Sequence, residues 1–131
     1  MNVAVDTNVL VRAVVGDNPD QATIATKILT ESEVIVIAVI SLCELVWVLR
    51  RSYDFKASEA AHAVRVLLSS ANVVTNRAAA EAGLSLLEAG GDFADGVVAF
   101  EGKWLGGETF VSFDRKAVSL LRASGHSAQL L

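Results

Sequence analysis

Apolar and polar positions along the chain follow two rhythms. Val3-Ala4-Val5 is an apolar run without alternation, the pattern of a strand buried on both faces, and it breaks at Asp6-Thr7-Asn8. Val9, Leu10, Ala13 and Val14 then recur at helical spacing, so a strand delivers a carboxylate to the start of a helix. Asn18-Pro19-Asp20-Gln21 opens a second helix, with Asn18 as cap, Pro19 in the first turn and Gln21 reaching back in a capping box. Ala22, Ala25, Ile28 and Leu29 form its apolar face. Residues 34–39, dense in β-branched side chains, predict the second strand. A helix over 41–51 follows, with Leu42, Leu45, Val46 and Leu49 on one face and Ser41 and Glu44 at the spacing of a capping box. Ala60, Ala61, Val64, Leu67 and Leu68 mark a further helix from about Ser58, and Asn72-Val73-Val74 a third strand.

The second half continues the alternation. Asn76 caps a helix to Glu88 that Gly90-Gly91 stops. Asp92 opens a helix over 93–105, stopped by Gly106-Gly107. Residues 109–113 predict a fourth strand ending at Asp114. Val118, Leu120 and Leu121 belong to a short helix ended near Gly125, and residues 128–131 supply an edge strand. Strands alternating with helices of this length indicate βαβ units, an α/β fold and a mainly parallel sheet. No repeat or linker interrupts the chain, so 1–131 is expected to be a single domain.

Composition narrows this. Hydrophobic residues make up 53% of the 131 positions, which suits a sheet covered on both faces. The longest wholly apolar run, 34–40, is too short to cross a bilayer. Met1 leads directly into strand without a signal sequence, so a cytoplasmic protein with no membrane association is expected. The single cysteine, Cys43, fits a reducing compartment and reads as a small buried residue in an apolar stretch. Trp47 and Trp104 lie in apolar helices and read as core or interface residues before base-stacking ones. Net charge is −4, mildly against nucleic-acid binding. That argument weakens if some acids hold a metal. With Asp6, Glu44, Asp95 and Asp114 set aside, the remaining acids balance the bases.

Those acids fall where a ligand site forms in an α/β sheet, at strand ends and helix starts. Each also has a structural explanation. Asp6, Asp92 and Asp114 are good N-caps, and Glu44 fits a capping box. Together they suggest more, because parallel strands send their C-terminal ends the same way. Carboxylates gathered there repel one another unless a cation neutralises them. Oxygen ligands suit Mg²⁺ or Mn²⁺, an ion that can activate a water for in-line attack on a phosphodiester. Zinc spacing, a P-loop and Ser–His or Cys–His pairing are absent from the sequence.

Four segments in series carry a resemblance: Val5-Asp6-Thr7-Asn8-Val9-Leu10, Glu44-Leu45-Val46-Trp47-Val48-Leu49, Asp92-Phe93-Ala94-Asp95-Gly96-Val97-Val98-Ala99 and Ser112-Phe113-Asp114-Arg115. In order and spacing they resemble the motifs of PIN-domain nucleases, VapC-type toxins of toxin–antitoxin pairs above all. The resemblance implies a three-layer α/β/α sandwich with strand order 3-2-1-4-5. It also implies Mg²⁺- or Mn²⁺-dependent cleavage of RNA and a VapB-type antitoxin as partner, and the apolar character of so small a toxin predicts a homodimer. By position, Asp6, Glu44, Asp95 and Asp114 would be the catalytic and metal-binding acids. Thr7, Asn8, Asp92 and Ser112 would be supporting groups. Arg12, Arg50, Arg51, Lys103, Arg115 and Lys116 are candidates for holding RNA phosphates. Gly96 departs from the family, which more usually has Ala there. Two other functions fit the same sequence: a PIN-like nuclease of RNA maturation or structured DNA, and a non-catalytic protein-binding module.

Overall fold

A computed structural model describes residues 1–131, which divide into two compact units, 1–77 and 78–131. The first unit runs β1 (Asn2–Ala4), α1 (Thr7–Val15), α2 (Pro19–Glu31), β2 (Val34–Val36), α3 (Val39–Ser52), α4 (Ala57–Ser69) and β3 (Val73–Val74). The second runs α5 (Arg77–Glu88), α6 (Phe93–Trp104), β4 (Phe110–Ser112), α7 (Arg115–Ala123) and β5 (Ala128–Leu130), with Arg77 at the division. The fold is α/β, and every strand pairing is parallel. The expected order 3-2-1-4-5 is found as two runs, 3-2-1 in the first unit and 4-5 in the second. No helix is long and apolar enough to cross a membrane.

The first sheet is one-sided, which corrects the expectation of a strand buried on both faces. Val3, Ile35 and Val73 lie in register, and Ile35 is fully buried. The next row, Ala4, Val36 and Val74, points to the opposite face and is exposed. Val36 keeps 40% and Val74 52% of its surface open. Leu42, Leu45 and Leu49 of α3 and Val64 of α4 are buried completely. They are the apolar faces that the helical spacing predicts.

Most helix boundaries follow the local chemistry. Asn18 caps α2 by accepting from the Gln21 N–H at 3.1 Å. The reciprocal half of that capping box is not made, because the Gln21 side chain accepts from Arg12 Nε instead, at 2.6 Å. The start of α3 differs from expectation. The helix begins at Val39, and Ala38 in the cap position has no side-chain hydrogen bond to offer. Ser41 and Glu44 therefore lie inside the helix and form no capping box.

In the second unit Leu86, Ala99, Val118, Leu121 and Ala128 pack into one cluster, with Phe110, Leu120 and Leu130 against it. Gly90, at φ +100°, turns the chain out of α5, and the Gly90 and Gly91 amides donate to the Leu87 and Leu86 carbonyls. Helices α5 and α6 then cross closely. A Cβ added at Gly96 would lie 2.5 Å from the Ala82 carbonyl oxygen, and one at Gly83 would lie 2.8 Å from the Phe93 ring. Gly96, which costs helix propensity, is explained by this approach. Gly83 plays the matching part and carries no sequence signal beyond being a glycine in a helix.

Candidate metal and nuclease site

In the first unit the end of β1 and the open face of α3 supply the acids. Asp6 follows β1 and caps α1, with Oδ1 accepting from the Thr7 N–H at 2.8 Å. Thr7 is buried, and its hydroxyl donates to Glu44 Oε2 at 3.3 Å. Thr7 thus links the acid before α1 to the acid on α3. Glu44 is exposed and has no capping role. Asn8 is exposed on α1 and, with Arg12, Gln21 and Ile24, lines a groove of about 450 Å³. A larger groove of about 580 Å³, lined by Phe55, His62 and Val66 among others, includes none of the four acids.

In the second unit Asp92 caps α6, accepting from the Ala94 N–H at 3.3 Å. Asp95 sits within the first turn of that helix and is partly buried. Asp114 follows β4 and caps α7, with Oδ1 accepting from the Ala117 N–H at 3.0 Å. The Asp114 N–H in turn donates to Ser112 Oγ at 2.9 Å, so Ser112 fixes the backbone that presents Asp114. Burial, then the charges of Asp92 and Asp114, push the Asp95 carboxyl above its ordinary range. The charges of Asp92 and Asp114 thus act on Asp95.

The donor chemistry fits a hard divalent ion, since every acid offers carboxylate oxygen and no soft ligand stands among them. Each capping aspartate spends one oxygen on a backbone amide and keeps a second. The side chains are not drawn into a ready-made cage, however: no group of three or more His, Cys, Asp or Glu is arranged to hold a metal. Asp92, Asp95 and Asp114 interact electrostatically without converging on one point.

The candidate phosphate-binding residues divide. Arg12 is occupied, with Nε donating to Gln21 and NH1 paired with Asp17 at 3.1 Å, while the Tyr53 hydroxyl donates to the other Asp17 oxygen at 2.9 Å. That network joins α1, α2 and the end of α3, so Arg12 has a structural role that sequence reasoning did not assign. Arg50 reaches the Phe55 carbonyl at 3.4 Å, and the Arg51 guanidinium lies over the Trp47 ring, 5.6 Å from its centroid. Lys103, Arg115 and Lys116 are exposed. Arg115 and Lys116 occupy the first turn of α7, where the helix dipole disfavours cations. Both tryptophans are exposed, Trp47 by 59% and Trp104 by 82%, which rules out core packing for either. Cys43 is only partly buried.

Comparison of the sequence with known families gives a match. The PIN-domain family model fits residues 3–121, nearly the whole chain and all four motif segments. No curated protein matches it. The chain belongs to the PIN-domain family, whose members are generally nucleases that use divalent metals.

Proposed function

We propose that the chain is an endoribonuclease dependent on Mg²⁺ or Mn²⁺, the toxin of a VapC-type toxin–antitoxin pair, acting in the cytoplasm. In this reading Asp6 and Glu44 of the first unit, and Asp95 and Asp114 of the second, are the metal-binding acids. Glu44 is the observation that carries it. The aspartates all sit at helix starts, and Asp6, Asp92 and Asp114 have backbone amides to cap, so helix structure accounts for their positions. Glu44 lies in the second turn of α3, caps nothing, stays exposed, and still receives a hydroxyl from a buried threonine. A side chain oriented at some cost, with no structural return, marks a functional carboxylate.

A divalent ion, when bound, supplies charge stabilisation at the phosphodiester and an activated water. The chain's own residues do the rest. Thr7 orients Glu44, and Ser112 fixes the amide of Asp114. Arg115 and Lys116, exposed in the first turn of α7 against the dipole, would receive RNA phosphate beside Asp114. Exposed apolar side chains such as Leu105 and Phe113 provide surface for a homodimer and for a VapB-type antitoxin. A basic side chain of the antitoxin would then meet the carboxylates.

Chelation tests the reading. Antitoxin-free protein should cut RNA, lose that activity in EDTA and regain it with Mg²⁺ or Mn²⁺. Cleavage confined to structured DNA or a precursor RNA would point to a maturation or DNA nuclease. No cleavage of any nucleic acid with either ion would leave a protein-binding module.

A further inference from the structure

Helix α3 carries an exposed stripe of which the metal-site reading uses only Glu44. Ile40, Glu44, Trp47 and Arg51 recur at three- and four-residue spacing, so they share one face of the helix, and all four are exposed. Trp47 leaves 59% of its surface open, although it is the largest side chain on the helix. Arg51 lies over its ring at 5.6 Å. A cation held over one face of an indole leaves the other face as a flat, oriented surface. Side chains on a helix lean toward its N-terminus, so Trp47 leans toward Glu44, about 4.5 Å back along the axis at 1.5 Å per residue.

We infer that Trp47 is a stacking platform for a base of single-stranded RNA, with Arg51 holding the ring and meeting the neighbouring phosphate. The inference rests on the nuclease reading, which places a phosphodiester near Glu44. A base flanking that phosphodiester then falls within reach of the indole, one helical turn along. Aromatic faces with adjacent arginines are the usual way proteins hold unpaired bases, because every base has a π-face and every nucleotide a negative charge. The charge on the stripe also selects this occupant. A second copy of the chain seated here would cover Glu44 and bury a carboxylate whose hydrogen-bond partner is a neutral hydroxyl. A nucleic acid would leave Glu44 open to an ion and give Arg51 an anion.

Fluorescence and cleavage together test the inference. In a Trp104→Phe background Trp47 is the one indole and its emission can be excited selectively, and EDTA separates binding from cutting. Titration with a short unstructured RNA should quench Trp47, and an abasic site at one position of that RNA should abolish the quenching. Trp47→Ala should weaken RNA affinity by roughly five- to a hundredfold, with Trp47→Phe recovering part of it. In Mg²⁺ or Mn²⁺ the Ala variant should raise KM more than it lowers kcat. RNA that binds the chain without quenching Trp47, or an Ala variant with unchanged affinity, would overturn the platform. So would a Trp47→Ala protein that changes from dimer to monomer in sedimentation while binding RNA normally, which would give the stripe to a second copy. If quenching and its abasic signature appear but no ion restores cleavage, the nuclease reading fails and the base platform stands.

Discussion

The Thr7 hydroxyl donates to Glu44 Oε2 at 3.3 Å, tying the first turn of α1 to the second turn of α3 across 37 residues of sequence. Asp6, whose carboxylate caps the same turn, is adjacent to Thr7 in sequence. One buried threonine therefore controls how the acids of the first unit are presented.

Replacing Thr7 should reveal this. Thr7→Val keeps the shape and removes the donor, so Glu44 loses its orientation while the fold loses about 1 kcal/mol or less. Metal-dependent cleavage should fall by roughly ten- to a hundredfold, the usual cost of losing a group that orients a ligand. Thr7→Ser should keep most of the activity. Parallel rate and urea-melt measurements decide it. A Val variant that cleaves RNA at the wild-type rate would show that the bond does nothing for catalysis.

The close crossing of α5 and α6 gives a prediction opposite in sign to helix propensity. In an open helix Gly96→Ala would stabilise by about 1 kcal/mol. Here the added methyl meets the Ala82 carbonyl oxygen at 2.5 Å, and backbone cannot rotate away. The variant should be destabilised by about 1–3 kcal/mol, the cost of overpacking. Equilibrium urea unfolding measures it, and a midpoint at or above wild type would show that the crossing has slack.

Thr7 and Gly96 acquire their roles only through partners distant in sequence, which marks the limit of what could be read from the sequence. Helix ends with polar or glycine punctuation were legible, as at Asn18-Pro19 and at Gly90-Gly91 before Asp92. The start of α3 was not. It falls inside a β-branched apolar run, where strand passes into helix with no cap residue to announce it. That single shift turns Glu44 from a capping residue into an exposed acid. Asp6 and Asp114 were legible as residues that follow strands, a place set by topology. The engagement of Arg12 was not, since one partner, Gln21, had been assigned to another bond, and the Tyr53 contact to Asp17 spans 36 residues. Gly83 was missed because a glycine shows no face until its neighbour is known. One-sided burial of β1 was missed because an apolar triplet cannot report how many faces are covered.

The basic residues should separate in salt titrations of RNA binding. Arg115→Ala and Lys116→Ala should each flatten the dependence of log affinity on log salt by about one unit or slightly less, as expected for losing one phosphate contact. Arg12→Ala should leave that slope unchanged and instead lower stability modestly, by about 1 kcal/mol or less for an exposed pair. A reduced slope for Arg12→Ala with unchanged melting would return Arg12 to the RNA-binding set.

Asp92 and Asp95 lie three residues apart in one turn, and their tasks should separate by substitution and by pH. Asp92 caps α6 through the Ala94 N–H. Asn caps about as well, so Asp92→Asn should keep the fold and much of the activity. Asp95 accepts no helix-capping bond, and its carboxyl is held above the ordinary value of 3.8 by burial first and by Asp92 and Asp114 after it. An acid whose folded pKa is raised is easier to ionise in the unfolded chain. Its contribution is therefore intact below the unfolded value and is lost as pH rises through the folded one. In EDTA, Asp95→Asn has no proton to lose and should melt higher than wild type at neutral pH. The difference should close as pH falls below about 3.8, the ordinary carboxyl value. Asp92→Asn should recover part of the same gain by removing one neighbouring charge. With metal present the order reverses for function. Asp95→Asn should lose cleavage by roughly a hundredfold or more, as when a charge-stabilising group is removed. Melting curves from pH 3 to pH 8 in EDTA, beside rates in Mn²⁺, test both halves. If Asp95→Asn melts lower than wild type at neutral pH and still cleaves RNA, its carboxylate is a structural group and the metal assignment moves to Asp92.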